Sequence, residues 1–286
     1  MSNKPAVIKF GKKIDIHKTL LTVFMAVVVV IQLFPLYWLL SFSLKNNNQI
    51  FGGNILGLPE KFMWNNYVKV LTQGNVGVYL LNSVIVTAAS VVITCLLAAS
   101  AAYAITRMNW GLSKTVLNIF LLGMMIPAYA ALLPLFLTLN KTGIYDTWFA
   151  LIIPYTAFSL PMAIFIFTGF YETIPRELEE SACMDGCSIY RIFSSIMLPM
   201  IRPAIVTVAI FTYLQNWNEL LFAVTFIKSR NLKTLTAGVM SLVSQYRTEW
   251  GQIGAGLLLT AIPSLLIYTF LSKQVQESFR AGAIKG

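Results

Sequence analysis

The chain has 286 residues, of which 57% are hydrophobic and 11% are charged, and its formal net charge is +10. Soluble domains carry about 25% charged residues, so the composition excludes an ordinary soluble domain. The basic residues are scattered over short loops and the amino terminus and form no stripe with interleaved aromatic side chains, which argues against a nucleic-acid partner.

Apolar segments of membrane-crossing length alternate with polar loops along the whole chain. Windows of about 20 residues with almost no charge are long enough to cross a bilayer core. The first apolar run follows a basic tail but exceeds the about 7–15 residues of a signal-peptide core, so we predict a retained span. The predicted spans cover residues 19–44, 79–105, 115–139, 147–170, 203–227 and 252–272. We therefore predict an all-α membrane protein with six transmembrane helices.

Lys and Arg in the loops predict the orientation. With the amino terminus inside, the inner side carries thirteen basic residues and the outer side eight, a bias that follows the positive-inside rule. The tails 1–18 and 273–286 are then cytoplasmic, and the loops 45–78 and 228–251 are extracytoplasmic. The second span is rich in small residues, which permit close helix packing in lipid.

The run Glu172–Pro203 lies on the predicted inner side and holds five of the eleven acidic residues: Glu172, Glu177, Glu179, Glu180 and Asp185. Its pattern predicts two short helices. Pro175 and the glutamates suit the start of the first helix, and Gly186 suits its end. Ser188 can cap the second helix, which carries Ile189, Phe193 and Ile196 along one face. Without further context, the pattern favours a solvated loop helix between two membrane spans.

A polar cluster interrupts the fifth predicted span. On a helix Gln215, Asn218, Glu219 and Phe222 share one face, and an ionisable group at membrane depth marks a functional site or a paired internal contact. In the functional interpretation the cluster Gln215-Asn216-Trp217-Asn218-Glu219 lines or gates a pathway for a polar solute, with Trp217 and Tyr213 as stacking faces. In the alternative the amides only hold helices together. The residues leave both open.

Motifs for chemistry are absent from the sequence. It contains no G-x-x-x-x-G-K-[ST], no H-E-x-x-H and no nucleophile elbow. Cys183 and Cys187 lack the further ligands that a metal site needs, and Glu219 stands nearly alone as a carboxylate within a span. We therefore predict a chain that is not an enzyme and has neither a metal nor a nucleotide site, so that energy must come from another subunit through a cytoplasmic contact.

The acidic run resembles the EAA motif of ABC importer permeases, EAA-x-x-DG followed by LP-x-x-x-P. Glu180-Ser181-Ala182 matches EAA, with serine in place of the first alanine, Asp185-Gly186 matches DG, and Leu198-Pro199 with Pro203 matches the ending. The resemblance implies a type I ABC importer permease fold, in which the loop 172–198 within the core 79–272 carries a cytoplasmic coupling helix. The implied ATPase-coupling residues are Glu179, Glu180, Ser181, Ala182, Asp185, Gly186, Leu198 and Pro199.

Further segments resemble the carbohydrate-type, MalG-like members of that family. They are FPLYWLLSFSLK (34–45), NNYVKVL (65–71), NSVIVT (82–87), AAYAITRM (101–108), WNE (217–219) and the terminal AGAIKG. The resemblance implies a sugar importer in a bacterial inner membrane, with a MalF-like second permease, two ATPase subunits that hold ATP and Mg, and an extracytoplasmic solute-binding protein. A permease for glycerol 3-phosphate or another polyol-like solute, a self-sufficient channel or secondary carrier, and a membrane scaffold are the alternatives.

Overall fold

The computed structural model describes residues 16–243 and 248–283, with side chains for 17–243 and 248–270. Over these ranges the chain forms helices and turns and no strand. The α-helices are α1 Ile16–Ser43, α2 Asn47–Phe51, α3 Asn65–Gln73, α4 Val76–Arg107, α5 Ser113–Gly123, α6 Leu132–Lys141, α7 Phe149–Glu172, α8 Glu177–Met184, α9 Ile189–Ile192, α10 Leu198–Met200, α11 Arg202–Trp217, α12 Leu221–Phe226, α13 Leu235–Met240 and α14 Trp250–Ala283. Short 3₁₀ turns lie at Ala128–Ala131 and Arg230–Leu232, and a π-helical turn lies at Phe193–Met197.

Among the described residues, four helices are long and apolar enough to cross a membrane, at His17–Ser43, Val76–Arg107, Phe149–Glu172 and Trp250–Phe270. Two further candidates are pairs of helices that meet at a sharp bend. If each bent pair is one span, the count is six, as the sequence predicts. The last helix continues beyond the predicted span into the predicted tail and reaches Ala283.

The third predicted span is not a continuous helix. The helix α5 ends at Gly123, and the 3₁₀ turn and α6 leave at an angle of 89°. Pro127 stands at the start of that turn with an extended backbone. Because proline has no backbone N–H and its ring clashes with the preceding helical turn, a helix cannot run through it undisturbed.

The helices α4 and α7 form the centre of the fold. Ala98, Ala99 and Ala102 of α4 are buried in one cluster with Ala163 and Phe167 of α7. Small side chains let two backbones approach closely in an environment where lipid gives no hydrophobic drive to associate. The small residues of the second span therefore have the packing role that the sequence predicts.

The central helices α4 and α7 run in the same direction, each from one side of the fold to the opposite side. Near the start of α4 the Asn82 amide donates to the carbonyls of Asn231 (2.8 Å) and Lys233 (3.0 Å). Near its end Arg107 donates to the Tyr171 carbonyl at the end of α7. The rise from Asn82 to Arg107 is about 37 Å at 1.5 Å per residue, more than a hydrocarbon core of about 30 Å. The loop around residue 231 and the run after α7 therefore lie on opposite sides of a membrane.

Asp146 joins the start of α7 to the outer layer, which we define as the predicted extracytoplasmic loops. Its Oδ1 accepts the backbone N–H of Lys228 (2.9 Å) and Ser229 (2.8 Å), and its Oδ2 accepts the Ser229 hydroxyl. Burial raises the pKa of this carboxyl, but the hydrogen bonds from Ser229 and Lys228, together with the Lys228 charge, outweigh burial and leave the pKa below its usual value.

We expect Asp146→Asn to lower the thermal unfolding midpoint of the purified chain at neutral pH and to lose this effect in acid. A folded-state pKa below the unfolded one stabilises the fold above about pH 4 and stops doing so as the pH falls through the lower folded value. Melting the variant and the wild type from pH 7 down to pH 3 should show their midpoints converge. The exposed Glu60→Gln is the control and should match the wild type throughout. A difference that persists in acid would contradict the carboxylate interpretation.

A second outer contact holds the end of α1 against the first outer loop through the buried Lys45. Its ammonium group donates to the carbonyls of Asn54 (2.6 Å), Ile55 (3.2 Å) and Gly57 (2.7 Å), while burial lowers its pKa. The Asn66 amide donates to the Lys45 carbonyl at 3.0 Å. Three donors of one ammonium group thus meet three carbonyls, so the lysine in FPLYWLLSFSLK organises the first outer loop.

Candidate functional site

The inner layer is built from the run Glu172–Pro203. The helix α8 begins two residues after Pro175 and carries Glu177, Glu179 and Glu180 in its first turn, where the helix dipole favours negative charge. Gly186 follows the end of α8 and has a φ of 78°, a backbone conformation that residues other than glycine adopt only at a cost in free energy. The run therefore contains the predicted first helix, its end at Gly186 and the start of a second helix after it.

The second helix of this run differs from the prediction. Ser188 precedes α9 with an extended backbone, but its hydroxyl makes no capping hydrogen bond. Of the predicted stripe, Phe193 and Ile196 pack against the core, whereas Ile189 is exposed, and the fully buried residues are Ile192 and Met197. The reason is the π-helical turn Phe193–Met197, which inserts an extra residue into the helical repeat just before Leu198-Pro199.

The coupling residues that the resemblance implies are divided between two faces. Ala182 is buried against the core and Glu179 is half-buried, whereas Met184 and Tyr190 are 89% and 83% exposed. The outward face that we call the docking face consists of the exposed residues Glu180, Ser181, Cys183, Met184, Asp185, Gly186 and Tyr190. Leu198 is half-buried and Pro199 is exposed at the far end of the run. A charged face with two protruding apolar side chains is suited to a protein partner.

Arg107 joins three helix ends in this layer. From the last turn of α4 its Nη2 donates to the Tyr171 carbonyl in the last turn of α7 (2.6 Å) and to the Ile174 carbonyl just after that helix. Its Nε lies 3.3 Å from the carboxylate of Glu179 in α8. The sequence includes Arg107 in the family-like segment AAYAITRM but does not predict its contacts, because a basic residue after a span is ordinary and its partners are distant in the chain.

The polar cluster of the fifth span lies where the helix breaks. The helix α11 ends at Trp217, and α12 restarts at Leu221. Gln215, Asn218, Glu219 and Phe222 nevertheless line one cavity of about 240 Å³, as their predicted shared face requires. The predicted continuous helix through residues 203–227 is wrong, since it breaks at residues 218–220. A separate bend of 74° precedes Arg202.

Glu219 closes the break by capping α12. Its Oε1 accepts the N–H of Phe222 (2.9 Å), and its Oε2 accepts the N–H of Ala223 (3.1 Å). The Tyr155 hydroxyl of α7 donates to the same Oε2 at 2.8 Å. The isolated carboxylate of the span is thus stabilised by the unpaired N–H groups of a helix start and by a bond to the neighbouring helix.

Aromatic rings form much of the remaining cavity wall. Tyr129, Tyr155 and Phe158 each face the Phe222 ring, with centroid distances of 6.0, 6.5 and 5.9 Å. Asn216 also lines the cavity, and its Nδ2 has no hydrogen-bond partner although the residue is only 5% exposed. No Lys or Arg is among the described residues that line the cavity. The space offers amides and aromatic faces and carries no positive charge.

Tyr213 and Trp217 point away from this cavity. The Trp217 indole is buried, donates to the Thr260 carbonyl of α14 (3.2 Å) and stacks on Tyr213 at 5.4 Å. They belong to a cluster with Val70, Tyr79 and Leu235. The structure therefore brings Gln215, Asn216, Asn218 and Glu219 together at the cavity, and it places the two predicted stacking rings in helix packing. Within the described part of the chain, no cluster of metal-ligating side chains occurs.

Comparisons with known proteins agree with this architecture. Residues 91–280 match the family described as the binding-protein-dependent transport system inner membrane component. A chain named as an ABC transporter permease in Caldicellulosiruptor sp. strain Rt8B.4 is 38% identical over 264 residues, covering 92% of this chain and 96% of that one. The diacetylchitobiose uptake system permease protein NgcG of Streptomyces coelicolor is 32% identical over 258 residues, covering 90% and 85%.

Among solved structures, a bacterial ABC transporter involved in the import of the acidic polysaccharide alginate has a similar fold. Its chain aligns with a TM-score of 0.79 at 19% identity, covering 93% of this chain and 99% of that chain.

Proposed function

The chain belongs to the family of binding-protein-dependent transport inner membrane components, the permeases of ABC importers, and from this premise we propose that its solute is a neutral sugar or oligosaccharide. The predicted fold class and family are confirmed: the chain is an all-α, multi-pass membrane protein with the fold of ABC importer transmembrane components. The similarity to NgcG, a diacetylchitobiose uptake system permease protein, supports a carbohydrate.

The observation that carries the proposal is the composition of the cavity at the broken fifth span. The side chains of Gln215 and Asn218 are exposed, and the unpaired Asn216 amide offers a donor, so hydroxyl groups of a sugar have partners there. The rings around Phe222 offer apolar surface for the faces of a sugar ring. Ligand sites typically combine such apolar walls with a few placed polar groups.

The same cavity argues against an anionic solute such as glycerol 3-phosphate. Phosphate and carboxylate sites in proteins use Arg, Lys or helix starts. Here the described lining has no basic side chain, and Glu219 already occupies the start of α12. An anion would therefore meet a carboxylate and no counter-charge.

In the proposed cycle this chain pairs with a MalF-like permease and two ATPase subunits, which bind ATP and Mg, while an extracytoplasmic binding protein delivers the sugar. The docking face contacts an ATPase subunit on the cytoplasmic side, where both termini also lie. Closure of the ATPase pair on ATP displaces α8, and the spans change from inward- to outward-facing around the cavity. This chain itself catalyses no reaction and binds no nucleotide.

Deleting the gene for this chain in its host and measuring uptake of labelled solutes tests the proposal. The panel contains neutral oligosaccharides of two to five units, an acidic uronate oligosaccharide and glycerol 3-phosphate. We expect loss of uptake of at least one neutral sugar, and a plasmid copy should restore it. Loss of glycerol 3-phosphate uptake alone would support the polyol alternative. Solute flux through the reconstituted chain without ATPase or binding protein would show a self-sufficient carrier, and unchanged uptake of every solute would contradict transport.

A further inference from the structure

The contacts of Arg107 indicate how motion reaches the cavity. Its side chain is 5% exposed, and Glu179, its ion-pair partner, is 16% exposed. The guanidinium lies between the negative end of α7, whose last carbonyls it binds, and the first turn of α8, which favours the Glu179 carboxylate. One side chain of α4 thus contacts the end of α7 and the start of α8.

Aromatic packing supports the same junction. Tyr103 lies one turn before Arg107 on α4, and its ring contacts those of Tyr171 (5.7 Å) and Phe193 (5.2 Å). These rings belong to the core cluster that also holds Ala182 of α8 and Ile192 of α9. The Arg107 contacts are thus the polar part of an otherwise apolar interface between the helices α4 and α7 and the inner layer.

The helix α7 connects this junction to the cavity. It ends at the carbonyls that Arg107 binds, and near its start it contributes Pro154, Tyr155 and Phe158 to the cavity wall. The rise from Tyr155 to Tyr171 is about 24 Å at 1.5 Å per residue. Pro161 removes one backbone hydrogen bond between these residues, but the helix is continuous through it, so displacement of one end moves the cavity end as well.

We propose that Arg107 is a positioning residue that makes α8 and the ends of α4 and α7 move as one body, so that displacement of the docking face is transmitted to the cavity wall. The proposal rests on the proposed function for its direction, from ATPase to cavity. Arginine is required because its Nη2 donates to two carbonyls while its Nε, at another position of the same rigid plane, lies 3.3 Å from the Glu179 carboxylate. Lysine keeps the charge but cannot reproduce that geometry.

Transport per ATP hydrolysed is the first test, in the complex purified with its ATPase subunits and reconstituted with the binding protein. We expect Arg107→Lys and Glu179→Gln to lower the amount of solute imported per ATP at least about fivefold, the lower range of site-to-site coupling. ATPase copurification should stay within about twofold of the wild type. The exposed Arg202→Lys and Glu172→Gln are matched controls and should leave the ratio unchanged.

The double variant Arg107→Lys/Glu179→Gln should lose less than the sum of the two single losses, since the two side chains share the Arg107–Glu179 ion pair. Additive losses would overturn the proposal. An unchanged transport ratio in both single variants would also overturn it, as would loss of ATPase binding, which would make Arg107 a support of the docking face only.

A distance measurement keeps the test independent of the transported solute. Spin labels at Glu177→Cys of α8, an exposed residue outside the docking face, and at Gly169→Cys of α7, with Cys95, Cys183 and Cys187 replaced by Ser, report the separation of the two helices. In the wild-type background the distance should be the same with and without ATP, and Arg107→Lys should broaden it or change it with ATP. A distance that changes with ATP in the wild type would contradict a single moving body even if the sugar assignment holds. Failure of the sugar assignment would leave this result intact.

Discussion

Replacing Gly251 with alanine is expected to lower the thermal stability of the purified chain, because one added methyl group would force two packed helices apart. A Cβ at residue 251 would overlap the Lys45 carbonyl oxygen and lie 2.5 Å from the Asn66 amide nitrogen. The clash is with the backbone just after α1, so the start of α14 must move away from that segment, and the Lys45 contacts are disturbed with it. Overpacking of this kind costs about 1–3 kcal/mol, and we expect the upper end of that range.

The measurement is the midpoint of thermal unfolding in detergent, together with the amount of chain recovered from membranes. Gly169→Ala is the matched control, because Gly169 is an exposed residue within α7 and a Cβ there would meet nothing within 4 Å. It should be neutral or slightly stabilising, since alanine is favoured over glycine in a helix by about 0.5–1 kcal/mol. Equal midpoints for Gly251→Ala and the wild type would mean that α1 and α14 are not in close contact.

Glu219→Leu is expected to lower solute uptake at least about tenfold, which corresponds to about 1.4 kcal/mol. The substitution removes the acceptor for the N–H groups of Phe222 and Ala223 and for the Tyr155 hydroxyl. The start of α12 then loses its cap, the bond to α7 is lost, and the cavity wall is no longer fixed. Uptake of the solute identified by the deletion experiment is the measurement.

Two variants separate the roles of Glu219. Tyr155→Phe keeps the cap and removes only the bond to α7, so it should give an intermediate loss of uptake. Asn218→Leu alters the exposed cavity surface and leaves the carboxylate contacts in place. Glu60→Leu removes an exposed outer carboxylate and should have no effect. Wild-type uptake for Glu219→Leu at normal membrane abundance would reduce the cluster to a packing role.

The sequence itself determined the membrane class, the position of the apolar segments and the division of the inner run into helix, stop and restart. These features depend on local properties: the length of charge-free windows, the dipole preference of glutamates and the conformational freedom of Gly186. The shared face of Gln215, Asn218, Glu219 and Phe222 was also predictable, because helical spacing survives the short break that separates α11 from α12.

Only the tertiary structure decided which polar residues meet. Arg107 and Glu179 are far apart in the chain, as are Glu219 and Tyr155, and a single sequence carries no signal for such pairs. Trp217 and Tyr213 were predicted at the pathway because they flank its polar residues, but burial against α14 places them in helix packing. The bend near Pro127 and the π-helical turn before Pro199 changed the direction and register of predicted helices, because proline perturbs the hydrogen bonds of the preceding turn and the surrounding packing selects how.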